Sequence, residues 1–328
     1  MKKRLFDGTG RQVSEVGLGC WQLGGSDWGD LDDRTAFRVL DAAAEAGVTF
    51  FDTADVYGSG RSEELIGAFL KDRHGCNLFV ATKLGRTAAL YPDKYTAAGL
   101  REATEASLKR LRVDALDLTQ LHCVPTEVLR KGEIFGWLRD LQTAGKIKAW
   151  GASVETADEA LLCLEQDGLA SLQVIFNLFR QKPAEAVLPK AKEKNVAIIV
   201  RLPLASGLLG GKMSKETHFA ANDHRTYNRN GEKFNVGETF AGLPFETGVE
   251  LVEELRRFAP EGRSMAQWTQ RWILDHDAVT VVIPGASRPQ QAGDNADVSA
   301  LPPLPPELHD RLSAFYRERV APHIRGPY

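Results

Sequence analysis

The sequence predicts a (β/α)8 barrel with an N-terminal β-hairpin and a long polar insertion after its seventh strand. Apolar runs rich in Val, Ile and Phe alternate with segments of helical period, eight times in succession. These runs are apolar on both faces, which is typical of parallel strands covered by helices. No interdomain linker interrupts the 328 residues, so we expect residues 1–328 to form a single domain.

The composition argues against several classes of function. The 41 basic and 44 acidic residues leave a net charge of −3, which gives no electrostatic case for binding nucleic acid or an anionic membrane. The opening MKKRLFDGTG lacks the apolar core of a signal peptide, and the apolar run Val196–Val200 is too short to cross a bilayer. Four scattered cysteines indicate reduced thiols in a cytoplasmic protein: Cys20, Cys76, Cys123 and Cys163.

The first half of the chain contains a hairpin and four strand–helix units. Residues 4–13, RLFDGTGRQV, predict a hairpin with a glycine-containing turn, which we expect to plug the barrel floor. The first predicted helix covers Asp32–Ala46, with apolar residues on one face and Gly47 as its stop. Ser62 is the expected cap of the second helix, whose first turn is acidic. The four predicted strands are SEVGLG, VTFFDT, NLFVATK and ALDLTQLH.

The second half keeps the same alternation. Its predicted strands are KAWGAS, LQVIFN, VAIIVRLP and AVTVVIPG. Helices are predicted over Thr156–Glu165, Glu185–Lys194, Thr247–Phe258 and the segment SMAQWTQRWIL. The polar segment Lys212–Gly242 follows the seventh strand. Its length is typical of a functional or mobile loop, and we expect a lid there, with a surface insertion as the alternative.

Four residues with chemically active side chains stand where predicted strands end. Asp52 ends the second strand and Tyr57 follows it, while Lys83 ends the third strand and His122 the fourth. In such barrels the active site lies at the carboxyl ends of the strands. Neighbouring strands are about 4.8 Å apart, so these four side chains are expected to form one cluster.

The cluster predicts a proton-transfer site. A tyrosine with an ordinary pKa of about 10 is a poor acid at neutral pH, and we expect the Lys83 ammonium to lower the pKa of Tyr57. Asp52 would hold Lys83 in place and keep it charged. His122 would orient or polarise a carbonyl oxygen while hydride arrives at the carbonyl carbon.

The sequence resembles the aldo-keto reductase superfamily over nearly its whole length. The matching stretches are GLGCWQLGG, FDTADVYGSGRSEELIGAFL, VATKLG, LDLTQLH, LQTAGKIKAWGAS, PLASGLLGGK and VIPGASRPQQAGDNA. The resemblance implies a (β/α)8 barrel that binds NADP(H) without a Rossmann fold. It also implies that Tyr57 is the general acid, that Lys83 and Asp52 tune it, and that His122 orients the substrate carbonyl.

The same resemblance implies a coenzyme site, with NADP(H) favoured and NAD(H) possible. Ser153 and Gln173 match residues that hold the nicotinamide carboxamide, although Val154 replaces the usual Asn. Arg201 stands where many members stack an aromatic ring on the nicotinamide. A planar guanidinium can also stack, but its charge changes the electrostatics against the oxidised ring.

Further implied coenzyme contacts lie after the last two strands. Residues 204–212, LASGLLGGK, match the loop that covers the pyrophosphate. Gly285 and Gln291 occupy positions where many members use basic residues for the 2′-phosphate, which leaves Arg288 for the phosphate and Asn295 for the adenine. The full implied set is Trp21, Ser153, Gln173, Arg201, Pro203, Leu204, Ser206, Gly207, Leu209, Lys212, Gly285, Ser287, Arg288, Gln291 and Asn295.

We expect a partly aromatic wall around a small carbonyl compound or sugar, formed by Trp21, Trp28, Cys123 and Phe179, although core packing also explains these residues. No metal is expected. His122 with Cys123, and His218 with His224, each lack a further ligand at suitable spacing.

Four functions stay open from the sequence. Reduction of aldehydes or ketones is the predicted reaction, and an NAD(P)-dependent sugar dehydrogenase running in the oxidative direction would use the same residues. A Schiff-base enzyme with Lys83 as nucleophile is a third possibility, although Asp52 argues against it by favouring the charged amine. The fourth is a non-catalytic nucleotide-sensing subunit.

Overall fold

Eight parallel strands form the centre of the computed structural model, which describes residues 1–71, 73 and 77–328. They are β3 (Leu18–Gly19), β4 (Phe50–Asp52), β5 (Phe79–Leu84), β6 (Leu118–His122), β7 (Trp150–Ser153), β8 (Ser171–Ile175), β9 (Ala197–Arg201) and β10 (Val279–Val282). Each strand pairs with the next in chain order. Parallel bridges between Val16 and Val282 and between Gly19 and Gly285 join the first strand to the last. The predicted barrel is confirmed.

The predicted hairpin is also confirmed, and it closes the amino-terminal end of the barrel. Strand β1 (Lys3–Phe6) pairs in antiparallel fashion with β2 (Arg11–Ser14). The buried ring of Phe6 packs against Phe50 and Phe79, with ring centroids 5.9 and 5.0 Å away. Because these two residues begin strands β4 and β5, the hairpin fills the barrel end opposite the strands' carboxyl termini.

Helices cover the outside of the barrel. They are α1 (Asp33–Glu45), α2 (Arg61–Lys71), α3 (Ala97–Leu111), α4 (Thr126–Lys131), α5 (Glu133–Thr143), α6 (Ala157–Leu164), α7 (Pro183–Glu193), α8 (His224–Tyr227), α9 (Phe245–Leu255), α10 (Met265–Leu274), α11 (Pro289–Ala296) and α12 (Pro306–Phe315). The sequence pattern did not predict α4, α8 or α12. Within the described residues, no helix combines the length and apolar character needed to cross a membrane.

The apolar core has two layers. One fills the barrel and includes Phe6, Leu118, Ile199 and Val281, and the other lies between the strands and the helices. Close packing on both faces fixes the direction of each strand. The polar side chains at the carboxyl ends of the strands are therefore held in defined positions.

The cysteines of the described residues are free thiols. Cys20, Cys123 and Cys163 are buried, and none of them is in a disulfide. Cys76, the fourth cysteine of the sequence, lies outside the described residues.

The segment Lys212–Gly242 lies over the carboxyl end of the barrel and contains α8. Asn228 organises this segment, since its side-chain oxygen accepts hydrogen bonds from the backbone N–H groups of Lys233 and Phe234. The segment continues through two short 3-10 turns, of which the second ends at Gly242.

Asp55, in the loop between β4 and α2, is a buried carboxyl that forms no ion pair within the described residues. The residue is 6% exposed, and neither of its oxygens has a hydrogen-bond partner in the described part of the chain. Burial, followed by the charge of Glu63, raises the pKa of Asp55 to about 7. A carboxyl with a raised folded-state pKa destabilises the protein as the pH rises. The reason is that the carboxyl loses its proton at a lower pH in the unfolded chain than in the folded protein.

Asp55→Asn is therefore expected to make stability less dependent on pH. Between pH 5 and pH 8 the wild-type carboxyl should remove about 3 kcal/mol from the free energy of unfolding, and the variant should not show this loss. Urea denaturation at both pH values measures the difference. Glu102→Gln, which removes an exposed carboxylate that lines the same cleft as Asp55, is the control. An equal loss in Asp55→Asn and wild type would contradict the assignment.

Candidate active site

The structure brings together the four residues that the sequence placed at strand ends. Asp52 is the last residue of β4, Lys83 lies near the end of β5, and His122 ends β6. Tyr57 follows β4 in the loop that leads to α2. The Tyr57 and His122 rings are 5.8 Å apart between centroids, at nearly right angles.

Lys83 is the centre of this cluster. Its ammonium group donates to Asp52 Oδ1 (2.5 Å), to the carbonyl oxygen of Thr53 (2.8 Å) and to the hydroxyl oxygen of Tyr57 (3.2 Å). Burial acts to lower the pKa of Lys83, but Asp52 and then Tyr57 outweigh it, so the pKa lies above its usual value. Lys83 is therefore a fixed cation at neutral pH.

The pKa of Tyr57 corrects a sequence-based expectation. Lys83 does act to lower it, but burial acts in the opposite direction and is stronger. The pKa of Tyr57 is raised to about 12 rather than lowered. The phenol is consequently protonated at neutral pH.

His122 is a neutral imidazole. It is 5% exposed, and its Nδ1 atom has no hydrogen-bond partner among the described residues. The pKa of His122 lies well below its usual value. Burial is the largest cause, and the positive charges of Arg86, Lys83 and Arg201 add to it. A neutral ring still has one N–H to donate to a ligand oxygen.

A cavity of about 510 Å³ opens above the cluster. Asp52, Tyr57 and His122 line it, and Lys83 lies behind them with 1% of its surface exposed. Of the predicted coenzyme contacts, ten line this cavity: Trp21, Gln173, Arg201, Pro203, Leu204, Ser206, Gly207, Gly285, Ser287 and Gln291.

The remaining five predicted coenzyme contacts lie outside the cavity wall. Ser153, the last residue of β7, is buried. It is paired in strand register with Gln173 of β8, which does line the cavity. Leu209 is fully buried in the core, whereas Lys212 and Arg288 are exposed. Asn295 is engaged with the protein itself, because its side chain accepts from Gln270 and donates to the Gly285 carbonyl oxygen.

Two of the four predicted substrate-pocket residues are not part of the wall. Trp21 and Trp28 line the cavity. Phe179 is fully buried in the core, where core packing is its evident role. Cys123 is also buried, and its thiol donates to Glu238 at 3.7 Å.

The polar atoms near the cavity floor fit a nicotinamide carboxamide. Ser153 Oγ is buried and has no partner within the described chain. Gln173 donates from Nε2 to Asp52 Oδ2 at 2.7 Å, which leaves the oxygen of its amide to accept from a ligand. A hydroxyl donor and an amide acceptor on adjacent strands complement the carbonyl and amino groups of a primary amide.

A group of buried charges was not predicted from the sequence, apart from Arg201. Glu238, from the insertion, pairs with Arg86 (3.2 Å) and with Arg201 (3.6 Å), and Arg86 also lies 3.8 Å from Glu155. Burial acts to raise the pKa of Glu238, but Arg86 and then Arg201 outweigh it and lower the pKa to about 2. Ligand atoms of Cys123, Glu155 and Glu238 lie within 4.8 Å of one another, but both guanidinium groups already neutralise this acidic cluster.

An aromatic rim joins the insertion to the loop after β3. Trp21 stacks on Tyr57 at 5.8 Å and contacts His224 at 4.9 Å. Asp27 connects the two segments, accepting from Trp21 Nε1 (3.0 Å) and from the Tyr227 hydroxyl (2.5 Å). Trp28 belongs to the same rim, 5.6 Å from Trp21 and 4.4 Å from His224. Tyr57 and the two tryptophans were predicted as site residues, whereas the rim residues from the insertion were not, because the insertion has no periodic pattern that aligns it with the barrel.

Comparison with known proteins identifies the family. A model of the Aldo/keto reductase family matches residues 15–317. Aldo-keto reductase YhdN of Bacillus subtilis is 33% identical over 288 residues, which cover 86% of this chain and 84% of YhdN.

Solved structures give the same result. The glycerol dehydrogenase AKR11B4 from Gluconobacter oxydans is 31% identical to this chain, with a TM-score of 0.76. The match covers 99% of this chain and 98% of the dehydrogenase chain. The holo form of the aldo-keto reductase AKR11C1 from Bacillus halodurans is 26% identical, with a TM-score of 0.77 and coverage of 96% of both chains. This chain therefore belongs to the aldo/keto reductase family and is an NAD(P)-dependent oxidoreductase.

Proposed function

We propose that the enzyme reduces aldehydes or ketones to alcohols, with Tyr57 as the proton donor and a reduced nicotinamide as the source of hydride. The observation that supports this best is the hydrogen bond from Lys83 to the Tyr57 hydroxyl oxygen at 3.2 Å. Because the phenol oxygen accepts this bond, the phenol's own proton is free to point at a ligand in the cavity.

Each residue of the cluster has a distinct part in the proposed reaction. Tyr57 holds its proton at neutral pH, as an acid must, and gives it up when negative charge develops on the substrate oxygen. Lys83 stabilises the phenolate that remains, and Asp52 keeps Lys83 charged and in place. His122, being neutral, donates a hydrogen bond to the carbonyl oxygen without competing for the proton.

The bound coenzyme would supply hydride from C4 of its nicotinamide. Ser153 and Gln173 would hold the carboxamide, and Arg201 would lie against the ring. The cavity-lining residues Pro203, Leu204, Ser206, Gly207 and Ser287 would contact the pyrophosphate and the ribose. We propose NADP(H) as the favoured coenzyme, with the exposed Arg288 as the partner of the 2′-phosphate.

We also propose that Lys212–Gly242 acts as a lid over the cavity. The support is its set of contacts with the loop after β3, where the backbone N–H of His224 donates to the Asp27 carbonyl oxygen at 2.9 Å. The insertion also contributes Phe234 and Glu238 to the cavity wall. Such a lid would exclude water from the site of hydride transfer.

Oxidation of a polyol or sugar is the second candidate, and it is supported by the similarity to a glycerol dehydrogenase. The polar groups Asp27, Tyr227 and Arg86 in the cavity wall suit a hydroxylated substrate. A Schiff-base mechanism is disfavoured, because the pKa of Lys83 is raised and its three protons are all engaged. A coupled screen of aldehydes, ketones and aldoses with both coenzymes, run in both directions, separates a reductase, a dehydrogenase and a sensor.

Tyr57→Phe is expected to lower kcat at least about a thousandfold, because it removes the proton donor. The dissociation constant for NADPH should change less than about twofold. Absorbance at 340 nm and coenzyme titration measure the two quantities. Tyr95→Phe, which removes a hydroxyl bound to the Gly85 carbonyl oxygen, is the matched control and should keep its activity. Undiminished turnover in Tyr57→Phe would show that another group delivers the proton.

Arg288→Ala is expected to weaken NADPH binding about tenfold and NADH binding less than about twofold, because only NADPH carries the 2′-phosphate. Titration with both reduced coenzymes provides the comparison. Arg101→Ala, at an exposed position on α3, controls for loss of positive charge. Equal losses for NADPH and NADH in Arg288→Ala would rule out the phosphate contact.

A further inference from the structure

Arg201 is a fixed cation in the wall of the cavity. It ends strand β9, its side chain is 11% exposed, and it is paired in register with Ile175 of β8. Nη2 donates to the Val154 carbonyl oxygen at 3.2 Å, and buried Nε has no partner among the described residues. The guanidinium is therefore held in one place, and it keeps its charge at every accessible pH.

The charge of Arg201 is only partly neutralised. Its ion pair with Glu238 is long, 3.6 Å, and the same carboxylate pairs more closely with Arg86, at 3.2 Å. Glu155 lies 3.8 Å from Arg86 and is only partly ionised at neutral pH, because burial and then Glu238 raise its pKa to about 7. One fully ionised and one partly ionised carboxylate thus face two guanidinium groups, so part of the positive charge beside the cavity floor remains unneutralised.

This excess charge adjoins the region that the proposed function gives to the nicotinamide. Strand β9 lies next to β8, whose Gln173 side chain is bound to Asp52 beneath the cavity. Gln173 and Arg201 both line the cavity. The nicotinamide ring is uncharged when reduced and carries a positive charge when oxidised, so Arg201 repels only the oxidised form.

We propose that Arg201 sets the enzyme's preference between the two redox forms of its coenzyme, and that Glu238 moderates this preference. The inference rests on the proposed function, since it requires the nicotinamide to bind beside Arg201. NADPH then binds more tightly than NADP⁺, and the NADP⁺ that forms when NADPH has given up its hydride leaves readily. Because Glu238 belongs to the insertion, the position of that segment also controls how much of the Arg201 charge the ring experiences.

The test is the ratio of the two dissociation constants, that of NADP⁺ divided by that of NADPH. Both are measured at pH 7 by isothermal titration calorimetry on the purified full-length protein. The two coenzymes share their phosphates, riboses and adenine, so the ratio isolates the effect of the ring. Arg201→Met is expected to lower this ratio about tenfold, equal to ~1.4 kcal/mol, and Arg201→Lys should retain most of it.

Glu238→Gln provides an opposing variant, because it removes the neutralising carboxylate and is expected to raise the ratio severalfold. A purely structural disturbance would not move the two variants in opposite directions. If Arg201→Met fails to fold, Arg201→Lys and Glu238→Gln still make the comparison.

An unchanged ratio in Arg201→Met, or a lowered ratio in Glu238→Gln, would overturn the proposal. Failure of the wild-type protein to bind either coenzyme would instead overturn the proposed function, so the two failures are distinguishable.

Discussion

The hydrogen bonds of one buried ammonium group, that of Lys83, hold the site together. Moving an ion pair out of water is costly, and it is tolerated only where hydrogen bonds satisfy the buried charges. Lys83 meets this condition with three acceptors, from Asp52, Thr53 and Tyr57, that come from the end of one strand and the loop after it. The neighbouring strands fix this arrangement, since Gln173 also donates to Asp52. The parallel barrel is thus what makes a charged lysine beneath a phenol possible.

The same charge distribution decides the protonation state of the other groups. Tyr57 stays protonated because burial outweighs the nearby cation, and His122 stays neutral because burial and three cations oppose its protonation. An acid that keeps its proton and a neutral hydrogen-bond donor therefore face one cavity. The insertion also contributes a charge to this region, because its Glu238 forms ion pairs with both Arg86 and Arg201. Packing of the insertion and charge at the cavity floor are consequently coupled.

Sequence patterns predicted the parts of this structure that depend on local periodicity. The barrel strands, the hairpin and the positions of Asp52, Lys83 and His122 follow from apolar runs and the points where they end. Side-chain direction beyond a strand end is a tertiary property, which is why Phe179 lies in the core and Cys123 contacts Glu238. The pKa of Tyr57 was predicted with the wrong sign, because the sequence shows the neighbouring cation but not the extent of burial. Arg86 had a weak signal, since it follows the end of the third predicted strand, whereas Glu238 had none.

The central claim is that the Lys83 cation makes Tyr57 an effective proton donor. Lys83→Met retains much of the side-chain length and removes the charge, so it isolates this contribution. The most direct measurement is the single-turnover rate of NADPH oxidation at 340 nm with a saturating aldehyde at pH 7. The account predicts a rate at least about a hundredfold below that of the wild type, with NADPH affinity nearly unchanged. A rate within about threefold of the wild type, in a folded variant that binds NADPH, would contradict it.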